Sequence, residues 1–341
     1  MEQNQTNMVA NKSCEIQEKP SHPYLTSFYI IIFLVGLILN SFTLWFHCHQ
    51  SHVQSSKSWM IYLKHLTVAD FLICLSLPLR IVYYSDKSSF QLYCIVIRPL
   101  MFLNISASIL FMGYIAASRY MKIFYSSRTP FLMTAKASHI ISMTTWCFLL
   151  IVFIPNFTKK MVNYKSSNYT TCNEMRKNHL EISIRLILAS ASTFIFLLVF
   201  FPLMFFYYST CSKVQQIQQS HLRNSEKLVN SRRKMLVLVS VFCICFVPYH
   251  VLRLPYIIFE GHCITIFYKV KEITVLLTTF NLCLDPIIYV FLCKNFRAQL
   301  NLKRIFGTNG NSNTYTLDAR HSGELLNTHS SRVLEGRVTT S

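Results

Sequence analysis

The residues best suited to chemistry are basic side chains near the ends of long apolar runs. His250 and Arg253 are three apart, so on a helix they share one face. Lys271 stands 15 positions before Pro286, roughly 22 Å along a helix at about 1.5 Å per residue. Arg80 closes one apolar run and Arg98 opens the next. Guanidinium forks grip phosphate oxygens in pairs, and an ammonium adds a point charge. Gathered in one mouth, such groups favour an anionic ligand and speed its capture. The alternative is that they snorkel to an interface or pair with Glu272 and Glu260.

A second set lies deep inside the runs: Asn40, Asp70, Ser108, Asn281 and Asp285. Asn281 and Asp285 are four apart and share a helix face. Carboxylate, amide and hydroxyl oxygens suit a hard cation, so an allosteric sodium or proton site is one expectation. A neutral hydrogen-bonded network is the other. No other metal and no cofactor is implied.

These side chains need elements to hold them, and the composition says which. Of 341 residues, 52% are hydrophobic and 14% charged, against about 25% charged in soluble domains. Mean hydropathy is +0.34. Helical membrane spans need about 20 mostly apolar residues each. Seven such stretches occur, near 24–46, 59–83, 93–121, 137–156, 181–210, 235–259 and 270–293. Barrel strands would alternate, and runs such as Phe28–Leu39 do not. The expected fold is an all-α seven-helix transmembrane bundle over 24–294. Around it come an N-terminal segment over 1–23, a short interfacial helix over 295–306 and a disordered tail over 307–341.

Lysine and arginine bias sets the orientation. Lys213, Arg223, Lys227, Arg232, Arg233 and Lys234 follow span five, Lys122, Arg128 and Lys136 follow span three, and Lys294, Arg297, Lys303 and Arg304 follow span seven. One side receives all of them, which places the N-terminus outside the cell. Much of the formal charge of +19 is thereby ordinary membrane bias, and a nucleic-acid partner is excluded. The start, Met1-Glu2-Gln3-Asn4, has no signal-peptide pattern. Asn4, Asn11 and Asn168 head glycosylation tripeptides on the outer side. Asn104-Ile105-Ser106 has the same form inside span three, where it is a chance match. Of 12 cysteines, Cys14, Cys94, Cys172 and Cys263 face the oxidising side. Four cysteines suggest two disulfides and allow three pairings. One bridge, Cys94 to Cys172, would pin a loop over the bundle, with Cys14 then joined to Cys263.

The motifs together resemble the rhodopsin-like G-protein-coupled receptors over about 14–306. They are Gly36-Leu37-Ile38-Leu39-Asn40, Leu66 to Asp70, Cys94, Ser118-Arg119-Tyr120, Trp146, Cys245-Phe246-Val247-Pro248-Tyr249 and Asp285-Pro286-Ile287-Ile288-Tyr289. The resemblance implies a receptor whose Arg119, Tyr120 and Tyr289 engage a heterotrimeric G protein. Two positions depart from the pattern. Ser118 stands where the family usually has an acid that pairs with the next arginine, which implies raised ligand-independent activity. Glu226 is the nearest acid at the start of span six. Span five has Pro202, but the tyrosine expected about eight residues later is missing; Tyr207 and Tyr208 lie closer.

The stretch Pro248 to Tyr256 with Lys271-Glu272-Ile273-Thr274 is similar to the ADP and UDP-glucose receptor branch, with its orphan and lysophospholipid neighbours. In the nucleotide-binding members, residues matching His250, Arg253, Tyr256 and Lys271 contact phosphates, and Arg176 matches a basic loop position. Phe102 and Ser106 stand where those members commonly stack the base on tyrosines, a departure that weakens base recognition: Phe102 can stack but cannot hydrogen-bond, and Ser106 does neither well. The resemblance implies a nucleotide or nucleotide-sugar ligand and the inhibitory G-protein class. Arg80 in its context resembles lysophosphatidylserine-type receptors as well, so a lysophospholipid is the alternative. A non-signalling decoy is a third reading. Thr314, Thr316, Ser322, Ser330 and Ser331 are candidate phosphosites for recruiting arrestin, the alternative being a solvating tail with no such role, and membrane lipid is a partner throughout. A transporter would show internal repeats and broken helices, and a zinc hydrolase would gather its histidines; His65, His139, His179 and His250 are scattered. The chain is not expected to be an enzyme.

Overall fold

The computed structural model describes residues 23–49, 57–85, 93–125, 134–166, 179–219, 225–259 and 265–293. They form seven long helices: α1 (Pro23–His49), α2 (Ser58–Ser85), α3 (Arg98–Phe124), α4 (Ala135–Ser166), α5 (His179–Gln219), α6 (Ser225–Phe259) and α7 (Thr265–Leu292). A π-helical turn, Tyr93–Ile97, runs directly into α3. No strand occurs among the described residues. Each helix is long and apolar enough to cross a membrane, where only internally bonded backbone survives.

The pattern of exposure inverts that of a soluble bundle. Ile38, Ile151 and Phe194 are outward and exposed, whereas Asn40, Asp70, Asn281 and Asp285 are buried inside. The apolar outside fits lipid and the polar inside must satisfy itself. α3 is the central post, touching α2, α4, α5 and α6. Gly113 permits its close approach to α5: a Cβ there would come 2.8 Å from Val199 Cγ1. Asn40 Nδ2 ties α1 to α7, donating to the Leu282 carbonyl at 2.9 Å. Trp146 Nε1 on α4 donates to His65 Nδ1 on α2 at 3.2 Å.

The helices follow the expected spans, with one correction. The basic segment from Ser212 to Lys234, read as a loop, is helical at both ends: α5 continues to Gln219, and α6 begins at Ser225. The physical reason is composition. From Ser212 to Val247 there is no glycine or proline, and Lys, Gln, Glu, Arg and Leu favour helix. Pro248 and Pro286 sit inside α6 and α7 as expected. Pro78, Pro155 and Pro202 lie inside α2, α4 and α5, and Pro255 is a second proline in α6.

Candidate functional site

The end of the bundle where α3 begins holds a cavity of about 240 Å³. Five helices bring basic side chains to its wall: Arg80 from α2, Arg98 from α3, Arg185 from α5, Arg253 from α6 and Lys271 from α7. Phe102, Tyr249 and Tyr256 supply rings. The Arg253 guanidinium carbon lies 5.3 Å from the Phe102 ring centre and 5.4 Å from that of Tyr249. Its buried Nη1 has no hydrogen-bond partner among the described residues. Lys271 Nζ is 5.2 Å from the Tyr256 ring centre. Rings hold both cations in place by attraction to their faces.

Three expected contacts look different in three dimensions. Arg80 is 1% exposed; it packs over Tyr29 at 4.3 Å and pairs with Glu272 at 3.7 Å. Lys271 Nζ donates to the same Glu272 at 2.7 Å. His250 is outside the cavity wall: it is 2% exposed and stacks flat on Phe196, 4.4 Å between centres. Facing the cations, Ile105, Val152, Phe153, Ile184 and Leu188 make an apolar side between α3, α4 and α5. Arg176 and Glu260 lie outside the described residues. Sequence reasoning missed Arg185, a single charge within the apolar stretch Ile182–Leu188; an intramembrane arginine is signal enough to mark it.

Below the cavity, Asp70 on α2 is fully buried, with Asp285 and Asn104 facing its carboxyl. Asn281 Nδ2 donates to Asp285 Oδ2 at 2.6 Å. Both Asp70 oxygens, Ser108 Oγ, Asn281 Oδ1 and Asp285 Oδ1 are buried without a hydrogen-bond partner among the described residues. Such a group of oxygens calls for a cation, a proton or water. Asn40 is turned away from it, bonded to the Gly36 and Leu282 carbonyls. Asn104, whose tripeptide looked accidental, is a polar member of this chamber; its i, i+4 relation to Ser108 was the available sign.

The profile of the family described as "7 transmembrane receptor (rhodopsin family)" matches residues 39–289. The chain belongs to that family. It is 33% identical to purinoceptor 14 of Bos taurus, over 85% of this chain and 88% of the relative. It is 30% identical to purinoceptor 13 of Homo sapiens, over 88% and 85%. It is also 30% identical to probable G-protein coupled receptor 34 of Mus musculus, over 86% and 80%. The protein is a multi-pass membrane receptor and not an enzyme, with a small-molecule ligand and a G protein as partners of its family.

At the other end of the receptor, Tyr289 is docked inward. Its hydroxyl bonds to the Leu63 carbonyl, to Thr67 Oγ1 at 2.5 Å and to His47 Nε2 at 2.8 Å. Arg119, which lacks the usual acid beside it, lays its guanidinium on Trp59 at 3.9 Å. Its Nε and Nη2 have no hydrogen-bond partner among the described residues. The side chain of Glu226 is outside the described ones. Tyr120 stacks on Phe206 of α5, 4.5 Å apart at 22°. The span-five register is settled by burial: Thr210, eight after Pro202, is buried where a tyrosine was expected, while Tyr208 is exposed.

Cys94, buried beside the cavity, is disulfide-bonded. The other eight described cysteines are free. Cys14, Cys172 and Cys263 lie outside the described residues, as do Asn4, Asn11, Asn168, the segment 295–306 and the tail.

Proposed function

We propose that the receptor resides in the plasma membrane with its N-terminus outside and responds to an anionic ligand, a nucleotide or nucleotide sugar. The observation that carries this is the convergence of Arg98, Arg185, Arg253 and Lys271 on one cavity that also presents Phe102, Tyr249 and Tyr256. Phosphate oxygens meet the guanidinium and ammonium donors. A base or sugar packs on the rings. The purinoceptor names of two relatives support the same class. Cys94 pairs with Cys172, and Cys14 with Cys263; Asn4, Asn11 and Asn168 carry glycans.

Ligand binding must favour the open inner face over the closed one to signal. On opening, Arg119, Tyr120 and Tyr289 leave Trp59, Phe206 and His47 and meet a G protein of the inhibitory class. Phosphorylated tail residues then recruit arrestin. A sodium ion held by Asp70, Ser108, Asn281 and Asp285 stabilises the closed state; their unpaired oxygens fit a hard cation.

A second reading has its own observation. The apolar side at Ile105, Val152, Phe153, Ile184 and Leu188 would take an acyl tail, with a lysophospholipid head at the cations. A screen of nucleotides, UDP-sugars and lysophospholipids, read as inhibition of cAMP formation, separates the two. Response to a nucleotide or UDP-sugar supports the first; response to lysophospholipids alone supports the second. Binding without any signal would mark a decoy.

A further inference from the structure

Among the described residues of the cavity wall, Glu272 is the one acidic side chain. It is 7% exposed and reaches two cations at once, Oε1 to Lys271 Nζ at 2.7 Å and Oε2 to Arg80 Nη2 at 3.7 Å. Arg80 is held from its other sides by the Tyr29 ring and by Met101 Sδ. A carboxylate offers two oxygens, as one edge of a phosphate does. Glu272 therefore sits where an incoming oxyanion would meet Lys271.

We propose that Glu272 is a tethered competitor, displaced from Lys271 by the ligand, which selects ligands bearing two or more negative charges over monoanions. This rests on the anion-site reading of the cavity. A tethered group acts at an effective concentration of about millimolar or more. A monoanion that replaces it at Lys271 makes the contact that was already there. A multiply charged oxyanion also reaches Arg253 on α6, whose buried Nη1 has no hydrogen-bond partner among the described residues. The displaced carboxylate stays with Arg80, because separating a buried pair strands both charges. Arg80 is on this account a positioning residue that parks Glu272, and Lys271 is the ligand contact.

The test uses the full-length receptor in lipid nanodiscs at fixed ionic strength, since added salt screens charge. Inorganic pyrophosphate and acetate are titrated against wild type and Glu272→Gln, with thermal stabilisation giving apparent affinity. Glu272→Gln should bind pyrophosphate about tenfold more tightly, the size of one charge-assisted contact. Acetate should stabilise that variant and leave wild type unchanged. Because Glu272→Gln strands the buried Arg80 charge, Arg80→Met with Glu272→Gln is measured beside it and should show the same tightening. Wild type responding to pyrophosphate with neither variant tightened overturns the competitor role alone. Equal stabilisation of wild type by acetate and pyrophosphate overturns it too. No response to pyrophosphate by any of the three proteins overturns the anion site and the competitor together.

Discussion

Arg119 shows how a missing partner is replaced. Ser118 cannot hold it by charge, and the Trp59 face does so instead at 3.9 Å. A cation over a tryptophan is worth about 0.5–2 kcal/mol. Trp59→Leu is therefore expected to raise ligand-independent signalling by about two- to thirtyfold, measured as basal cAMP inhibition at matched surface expression. Ser118→Asp should lower it, by giving Arg119 an adjacent carboxylate; equal basal signalling of this variant and wild type would remove Ser118 from the account. His47 plays the matching part for Tyr289, with a 2.8 Å bond. Its replacement by Phe keeps the ring and loses the bond, and should raise basal signalling about three- to tenfold. Neither Trp59 nor His47 was legible as a latch in the sequence, because both functions exist only through residues far away along the chain. The absence opposite Arg119 was legible, but not its substitute.

At the scale of helices, patterning was informative wherever lipid dictates it. Seven apolar runs became seven helices, because buried backbone in a bilayer has almost no other solution. What patterning did not show was where helices continue into water. α5 runs on to Gln219 and α6 already begins at Ser225, inside the charged segment between Ser212 and Lys234, since charge ends a span without ending a helix. Helix faces were also partly hidden. His250 and Arg253 share a side in principle, yet Arg253 reaches the cavity and His250 turns to Phe196. Register in α5 needed packing to fix it, through buried Thr210 and the Tyr120–Phe206 stack. The close crossing of α3 and α5 depends on Gly113. Gly113→Ala forces Val199 aside from a 2.8 Å approach and should cost about 1–3 kcal/mol, seen as a lowered unfolding temperature of the purified receptor.

Across the whole molecule, two polar regions share α2, α3 and α7, the cationic cavity and the oxygen chamber around Asp70. The chamber was largely visible beforehand, because intramembrane carboxylates are rare and conspicuous; Asn104 escaped as an apparent glycosylation tripeptide. Exchanging potassium for sodium should raise the thermal stability of wild type and not of Asp70→Asn, which loses the charge that would hold the ion. The cavity was legible as a cluster of basic residues, with Glu272 as the alternative partner, but not that Glu272 takes Lys271 and Arg80 together, since Arg80 is 192 positions away and meets it only on folding. The most direct test of the anionic-ligand account is the dose–response of Arg253→Ala with Lys271→Ala to whichever ligand drives cAMP inhibition in wild type, at matched surface expression. Losing two charge-assisted contacts should shift the half-maximal concentration about a hundredfold or more. An unshifted response would contradict the phosphate site and the function built on it.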